Sequence, residues 1–250
     1  CIGCYHCVAV CPSDAVTCDE FPLKAFRKIP KDKAPSAAAV NDLLVQRRSI
    51  REFKNKEVPK KVLDELVEIV SHAPTGSNSR GVGLSIITDQ KLINKMDARI
   101  LKTFDKLTSL VDNPVASSLV ASLGGKKNAD RVKRWKGDLE RYKKAKGAAR
   151  LHAFRGAPVL VVAHSGSDSS TGRDDCVIAL AHLNIAAEAR GMGCTWIGYL
   201  VAAAKLDPHL KRVFGVPKNR ALNAAMILGW PKYKYKRVIP RKAAPIKWIG

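Results

Sequence analysis

Four cysteines open the chain at a spacing that suits metal chemistry. Cys1, Cys4, Cys7 and Cys11-Pro12 follow C-x2-C-x2-C-x3-C-P. Thiolates are soft ligands matched to iron in a sulfide cluster, and close spacing lets one loop wrap several corners of a cube. Gly3 and Ala9 lie between them and let the backbone come near inorganic sulfide. Zinc also takes four thiolates, although the C-x3-C-P ending favours iron–sulfur. Five of the seven cysteines fall within the first 18 residues. That clustering is unlike a disulfide framework and points to a reducing, cytoplasmic setting.

Three later segments carry a different chemistry. Arg47, Arg48 and Ser49 offer two guanidinium forks and a hydroxyl, a set suited to a phosphate dianion. Ala73-Pro74-Thr75-Gly76-Ser77-Asn78 combines small residues, which let backbone approach a flat ring, with an amide that can both donate and accept at a ring edge. Gly191-Met192-Gly193-Cys194-Thr195-Trp196-Ile197-Gly198 has glycines that open backbone N–H groups to a cofactor. Each segment has a plainer reading as surface charge or a helix-ending turn. The six histidines are scattered without metal or triad spacing, no G-x-S-x-G occurs, and no G-x-G-x-x-G follows a strand.

Elements must position these segments. Helices are expected over Val40–Arg48 and over Val58–His72, where Val58, Val62, Leu66, Ile69 and Val70 share a face ahead of the breaker Ala73-Pro74-Thr75-Gly76. Val82–Thr88 and Pro158–His164 read as buried strands, with further strands at Cys194–Leu200 and Ala221–Leu228. A basic helical region spans Lys91–Arg150 between the first two. After the polar loop Ser165–Gly172, Asp174 or Asp175 caps a helix that runs to Arg190 and is closed by Gly191. Being apolar on most faces, it belongs in the core or at a subunit interface. The fold class is α+β, in three parts: a cysteine segment at 1–23, a linker at 24–39 and a main domain at 40–250.

Taken in order, the blocks RRSIREF, APTGSN, FRGAPVLVVAH, DDCVIALAHLNIAAEARGMGCTWIGYL and LGWPKYKYKR resemble the nitroreductase family of FMN enzymes over roughly residues 40–242. The cysteine segment is similar to a bacterial ferredoxin repeat, so the whole chain looks like a ferredoxin-fused member. The resemblance implies a mixed sheet flanked by helices, with FMN at a homodimer interface. It assigns Arg47, Arg48, Ser49, Lys236 and Arg237 to the ribityl phosphate, and Pro74, Thr75, Gly76 and Asn78 to the isoalloxazine across the interface. Thr195, Trp196, Ile197 and Gly198 are placed beside the ring. Many members continue the asparagine loop with Gln-Pro-Trp, whereas Ser79-Arg80-Gly81 stands here.

In two-cluster ferredoxins the fourth cysteine serves the other cluster. The ferredoxin likeness therefore implies that Cys1, Cys4 and Cys7 hold one 4Fe-4S cube and Cys11 a companion's. It also implies a first motif upstream of Cys1 and an incomplete cluster in this chain alone. The chemistry implied is ping-pong electron transfer to a nitroaromatic, quinone or similar small-molecule acceptor. Electrons would come from a ferredoxin or other carrier, or from NAD(P)H as a transient donor. A flavin or alkene reductase on the same fold is the nearest alternative.

The formal charge is +22, with twelve Lys and Arg between Lys126 and Arg155 and seven more after Pro231. Such a surface attracts polyanions, but only Trp135, Tyr142 and Phe154 accompany it, weak support for base stacking. Nucleic acid is not the expected partner, and no apolar run is long enough to span a bilayer.

Overall fold

The computed structural model describes residues 1–30, 34–110, 136–137, 140 and 153–250. The helical reading beyond Leu110 and most of the basic stretch Lys126–Arg155 lie outside them. After a short helix α1 (His6–Val10), α2 (Ala37–Gln46) begins earlier than its apolar pattern suggests. Ser36 caps it by accepting from the Ala39 N–H at 3.2 Å, so the alanine run inside the expected linker is already helical. Helix α3 (Lys60–Ser71) starts behind Pro59 as the pattern requires.

Strands β1 (Gly83–Ile87) and β2 (Val159–Gly166) enclose α4 (Gln90–Leu110) in sequence. Helix α5 (Gly172–Glu188) leads to β3 (Gly193–Trp196), then α6 (Gly198–Leu206), α7 (Pro208–Val213) and β4 (Arg220–Gly229). The strand expected over Cys194–Leu200 thus ends at Trp196. The apolar run continues through Ile197, but its alanine-rich second half, Leu200–Leu206, suits a helix.

The sheet has the order β1-β2-β4-β3 and every neighbouring pair is antiparallel. The mixed sheet expected from the resemblance is corrected here. Among the described residues parallel pairing is confined to one bridge, Ser49 to Cys194, because the chain entering the domain runs alongside β3 rather than forming a strand of its own.

Two apolar layers sandwich this sheet, and the strand period of two decides which residue serves which. Leu160 and Val162 of β2 join Ile93, Met96, Ile100 and Phe104 of α4, with Leu200 of α6 and Leu210 of α7. Val159, Val161 and Ala163 join Leu63, Leu66 and Val70 of α3 and the inner face of α5. Leu66 is fully enclosed, a burial that contributes roughly 1.5–3 kcal/mol. A register shift between Ala163 and His164 leaves Asn223 opposite no residue of β2, and its amide donates to the Ser165 hydroxyl at 2.8 Å.

Helix α5 is not enclosed all round. Cys176, Ala179, Leu180, Leu183 and Ala187 face the sheet, while Val177, Ile178 and Ile185 are exposed on the opposite side.

Candidate functional site

The Arg-Arg-Ser segment leaves α2 and runs beside β3. Ile50 donates its N–H to the Cys194 carbonyl at 2.9 Å, and the Thr195 hydroxyl donates to the Ile50 carbonyl. Gly193 makes this approach possible: a Cβ there would stand 2.2 Å from Ile50 Cγ1 and 2.7 Å from Ile50 Cβ. The pairing pulls Arg48 inward until it is 9% exposed. Its Nη1 donates to the carbonyls of Val45 at 2.6 Å and Arg47 at 2.8 Å, but its buried Nε has no partner among the described residues. An unsatisfied buried donor of this kind is costly, and an added acceptor would remove the cost.

Arg48 opens on a cavity of about 580 Å³. The chain after β4 supplies much of its wall, tied in place by Lys54 N–H donating to Trp230 O at 2.8 Å and Lys232 N–H to Glu52 O at 3.0 Å. Among the described residues six cationic side chains line the cavity (Arg48, Lys54, Lys232, Lys234, Lys236 and Arg237) against one carboxylate, Glu188. Burial pushes the Glu188 carboxyl above the usual carboxylate range, with Arg47 and Arg48 pulling the other way. The cavity is strongly cationic, and it gathers Arg48, Lys236 and Arg237. Arg47 stands close enough to act on both Glu188 and Cys194. Ser49 lies in the bridge to Cys194.

A sequence model of the nitroreductase family matches residues 44–230, from the end of α2 through β4. The chain belongs to the nitroreductase family. Membership makes it an oxidoreductase by family. Among curated protein sequences none matches it.

Solved structures share the fold. A nitroreductase with bound FMN from Bacteroides fragilis superposes with a TM-score of 0.64 at 19% identity, over 84% of this chain and 98% of that one. A BluB-like flavoprotein from Clostridium difficile 630 gives 0.59 at 18% identity, over 84% and 99%. A nitroreductase with bound FMN from Desulfitobacterium hafniense gives 0.58 at 19%, over 83% and 98%.

In this nitroreductase-family chain the asparagine loop sits elsewhere. Gly76 donates its N–H to Asp175 Oδ1 at 2.9 Å, and the Thr171 hydroxyl donates to Asp175 Oδ2 at 2.9 Å. The first turn of α5 therefore holds Pro74, Thr75, Gly76 and Asn78, whereas its last residue, Glu188, lines the cationic cavity. Glu188 lies thirteen positions along the helix from Asp175, about 20 Å at 1.5 Å per residue. One chain thus keeps the two groups of residues apart. Thr195 is buried on Ile50, and Ile197 is buried in the core with its N–H given to Ala225 O at 2.9 Å. Trp196 and Gly198 are exposed.

The cysteine segment lies against the loop. The Asn78 amide donates to the carbonyls of Ile2 and Gly3, each at 2.9 Å. Cys1 and Cys7 are exposed, Cys4 and Cys11 partly so. Among the described residues no three Cys, His, Asp or Glu side chains converge as a metal site. The Ser13 hydroxyl, with the backbone N–H groups of Ser13, Ala15 and Val16, lowers the Cys11 thiol to about 7.

Asp175 and Glu188 went unmarked as site-shaping residues in the sequence, where Asp175 reads only as a helix cap. No local pattern announces either role. Among the described residues no helix is long and apolar enough to cross a membrane.

Proposed function

We propose that this chain holds FMN and uses it to reduce electron-poor small molecules such as nitroaromatics or quinones, in alternating half-reactions with a nicotinamide or protein electron donor. The observation that carries the reading is Arg48: a buried guanidinium with an Nε unpartnered among the described residues, opening on a cavity where six cations face one carboxylate. The FMN phosphate fits that demand, because it brings acceptor oxygens and negative charge together. When bound, FMN supplies a reversible two-electron carrier between donor and acceptor.

The residues act by binding and orientation. Arg47, Arg48, Ser49, Lys236 and Arg237 hold the phosphate. Pro74, Thr75, Gly76 and Asn78 contact the ring, and Thr195, Trp196, Ile197 and Gly198 line its other side, Thr195 and Ile197 by shaping the backbone. A five-carbon ribityl chain does not reach along most of α5, so the ring and phosphate groups that serve one FMN come from two copies. A homodimer that pairs the exposed Val177, Ile178 and Ile185 faces of two α5 helices, running antiparallel, sets the first turn of one helix beside the last turn of the other.

Residues 1–23 form the cysteine segment, 24–39 the connection and 40–250 the FMN domain. The thiols of Cys1, Cys4, Cys7 and Cys11 are the right ligand type for a 4Fe-4S cluster. The cysteine composition suits a reducing, cytoplasmic setting.

The test is an absorption spectrum of purified protein, reconstituted with FMN, before and after dithionite. A bound flavin band that bleaches, and FMN identified in the acid extract, support the reading. A protein that stays colourless after reconstitution overturns it.

A further inference from the structure

The loop that carries Pro74, Thr75 and Asn78 faces the cysteine segment, and between them lies a second cavity, of about 770 Å³. One wall is the loop. The other is aromatic: Tyr5 meets Phe21 edge-on at 5.5 Å and 88°, and Phe26 at 6.4 Å and 78°. Both walls are held in costly backbone shapes. Tyr5 has a φ of 57°, and on the loop Ser77, Asn78 and Arg80 have φ of 51°, 54° and 48°. Left-handed conformations at residues other than glycine persist only where the surroundings impose them, and they gather at functional sites.

Arg80 ties the two walls together. Its guanidinium donates to both Glu20 oxygens, at 2.9 Å and 3.2 Å, and lies 5.7 Å from the centre of the Tyr5 ring. The Tyr5 hydroxyl donates to the same Glu20 carboxylate, and the Arg80 guanidinium, with that hydroxyl, holds the carboxyl below its usual range. With the two Asn78 bonds to Ile2 and Gly3, the clamp fastens the segment to the loop at both edges. This gives the Ser79-Arg80-Gly81 departure a purpose that its neighbours in sequence do not reveal.

We propose that residues 1–26, clamped by Arg80 and Asn78, form the outer wall of an acceptor site that takes a flat, electron-poor aromatic compound. The site rests on the FMN reading only for which face of the loop meets the ring. Its own chemistry follows from its walls. Tyr5, Phe21 and Phe26 line it, and aromatic rings, electron-rich on their faces, complement the inverted charge distribution of a nitrated ring. With its guanidinium spent on Glu20, Arg80 is a positioning residue here and offers no anion site.

The experiment titrates FMN-reconstituted full chain with 1,3-dinitrobenzene by calorimetry and follows hydrogen exchange over residues 1–22. Tyr5→Ala and Arg80→Ala are expected to weaken binding about tenfold. Arg80→Ala and Arg80→Glu are expected to speed exchange in residues 1–22, and adding Glu20→Arg to Arg80→Glu restores slow exchange and binding. Unchanged affinity in both Tyr5→Ala and Arg80→Ala, or unchanged exchange in Arg80→Glu, overturns the proposal even if FMN is bound. Should the parent chain retain no FMN yet bind dinitrobenzene in a Tyr5-dependent way, the site stands and the flavin reading falls.

Discussion

Gly193→Ala tests whether the approach of the arginine segment to β3 builds the phosphate site. The new Cβ would meet Ile50 at 2.2 Å, 2.7 Å and 3.2 Å, through Cγ1, Cβ and Cγ2. A rotamer change relieves the first and third contacts, but the second involves an atom fixed to the backbone, so the segment itself must move. Overpacking of this kind costs about 1–3 kcal/mol. If the segment peels away it also loses the Ile50–Cys194 bond and the Thr195–Ile50 bond, roughly 0.5–1.5 kcal/mol each. The expected loss is therefore about 2–6 kcal/mol in urea unfolding. FMN affinity falls with it, because Arg48 is two residues from Ile50. Ile50→Ala removes the 2.2 Å and 3.2 Å contacts and leaves the 2.7 Å one. Combined with Gly193→Ala it should cost less than the sum of the two changes, with a coupling above about 1 kcal/mol. Stability within about 0.5 kcal/mol of the parent, with unchanged FMN affinity, would refute the reasoning.

Three other changes probe separate parts. Asp175→Ala strips the acceptor from Gly76 N–H and the Thr171 hydroxyl at a residue 3% exposed, and should cost about 2–4 kcal/mol. Hydrogen exchange should accelerate first at Gly76, and a loop as protected as before would contradict the anchor. Glu188 has a raised carboxyl, so its folded form holds the proton more tightly than the unfolded chain. Stability is then full below the ordinary value of 4.5 and is lost as pH rises through the higher folded value. Glu188→Gln should flatten that loss in pH-dependent unfolding and tighten phosphate or FMN binding at neutral pH; an unaltered profile counts against it. Ile178→Lys with Ile185→Lys places two charges on the exposed face of α5 and should give a monomer by sedimentation equilibrium. A mass equal to the parent's would place the subunit contact elsewhere.

The elements that could be read from sequence are those with an uninterrupted local period. Helix α3 shows its inner face in Leu66 and Val70, and β2 shows itself as a run of branched residues with both faces covered. The end of β3 was illegible because Ile197 is as apolar as a strand residue and is buried just the same. On α5 the apolar residues lie all round, and sequence alone does not say which of them meets the sheet. Within the site, Arg48 could be singled out by type, but its burial depends on Gly193, far along the chain. Asp175 and Gly76 are 99 positions apart, and Arg80 and Glu20 are 60 apart. Contacts of that span are made by the fold and leave no local trace.

The bridge between Ser49 and Cys194 has a bearing on how this protein fails. Strand β3 ends the sheet, and its outer backbone groups would otherwise offer a template to any passing strand. Ser49 and Ile50 occupy that edge. A chain loosened here loses the proposed cofactor site and, in the same motion, uncovers a sticky strand. Solubility and cofactor retention should therefore fall together, and excess FMN during expression should protect against aggregation.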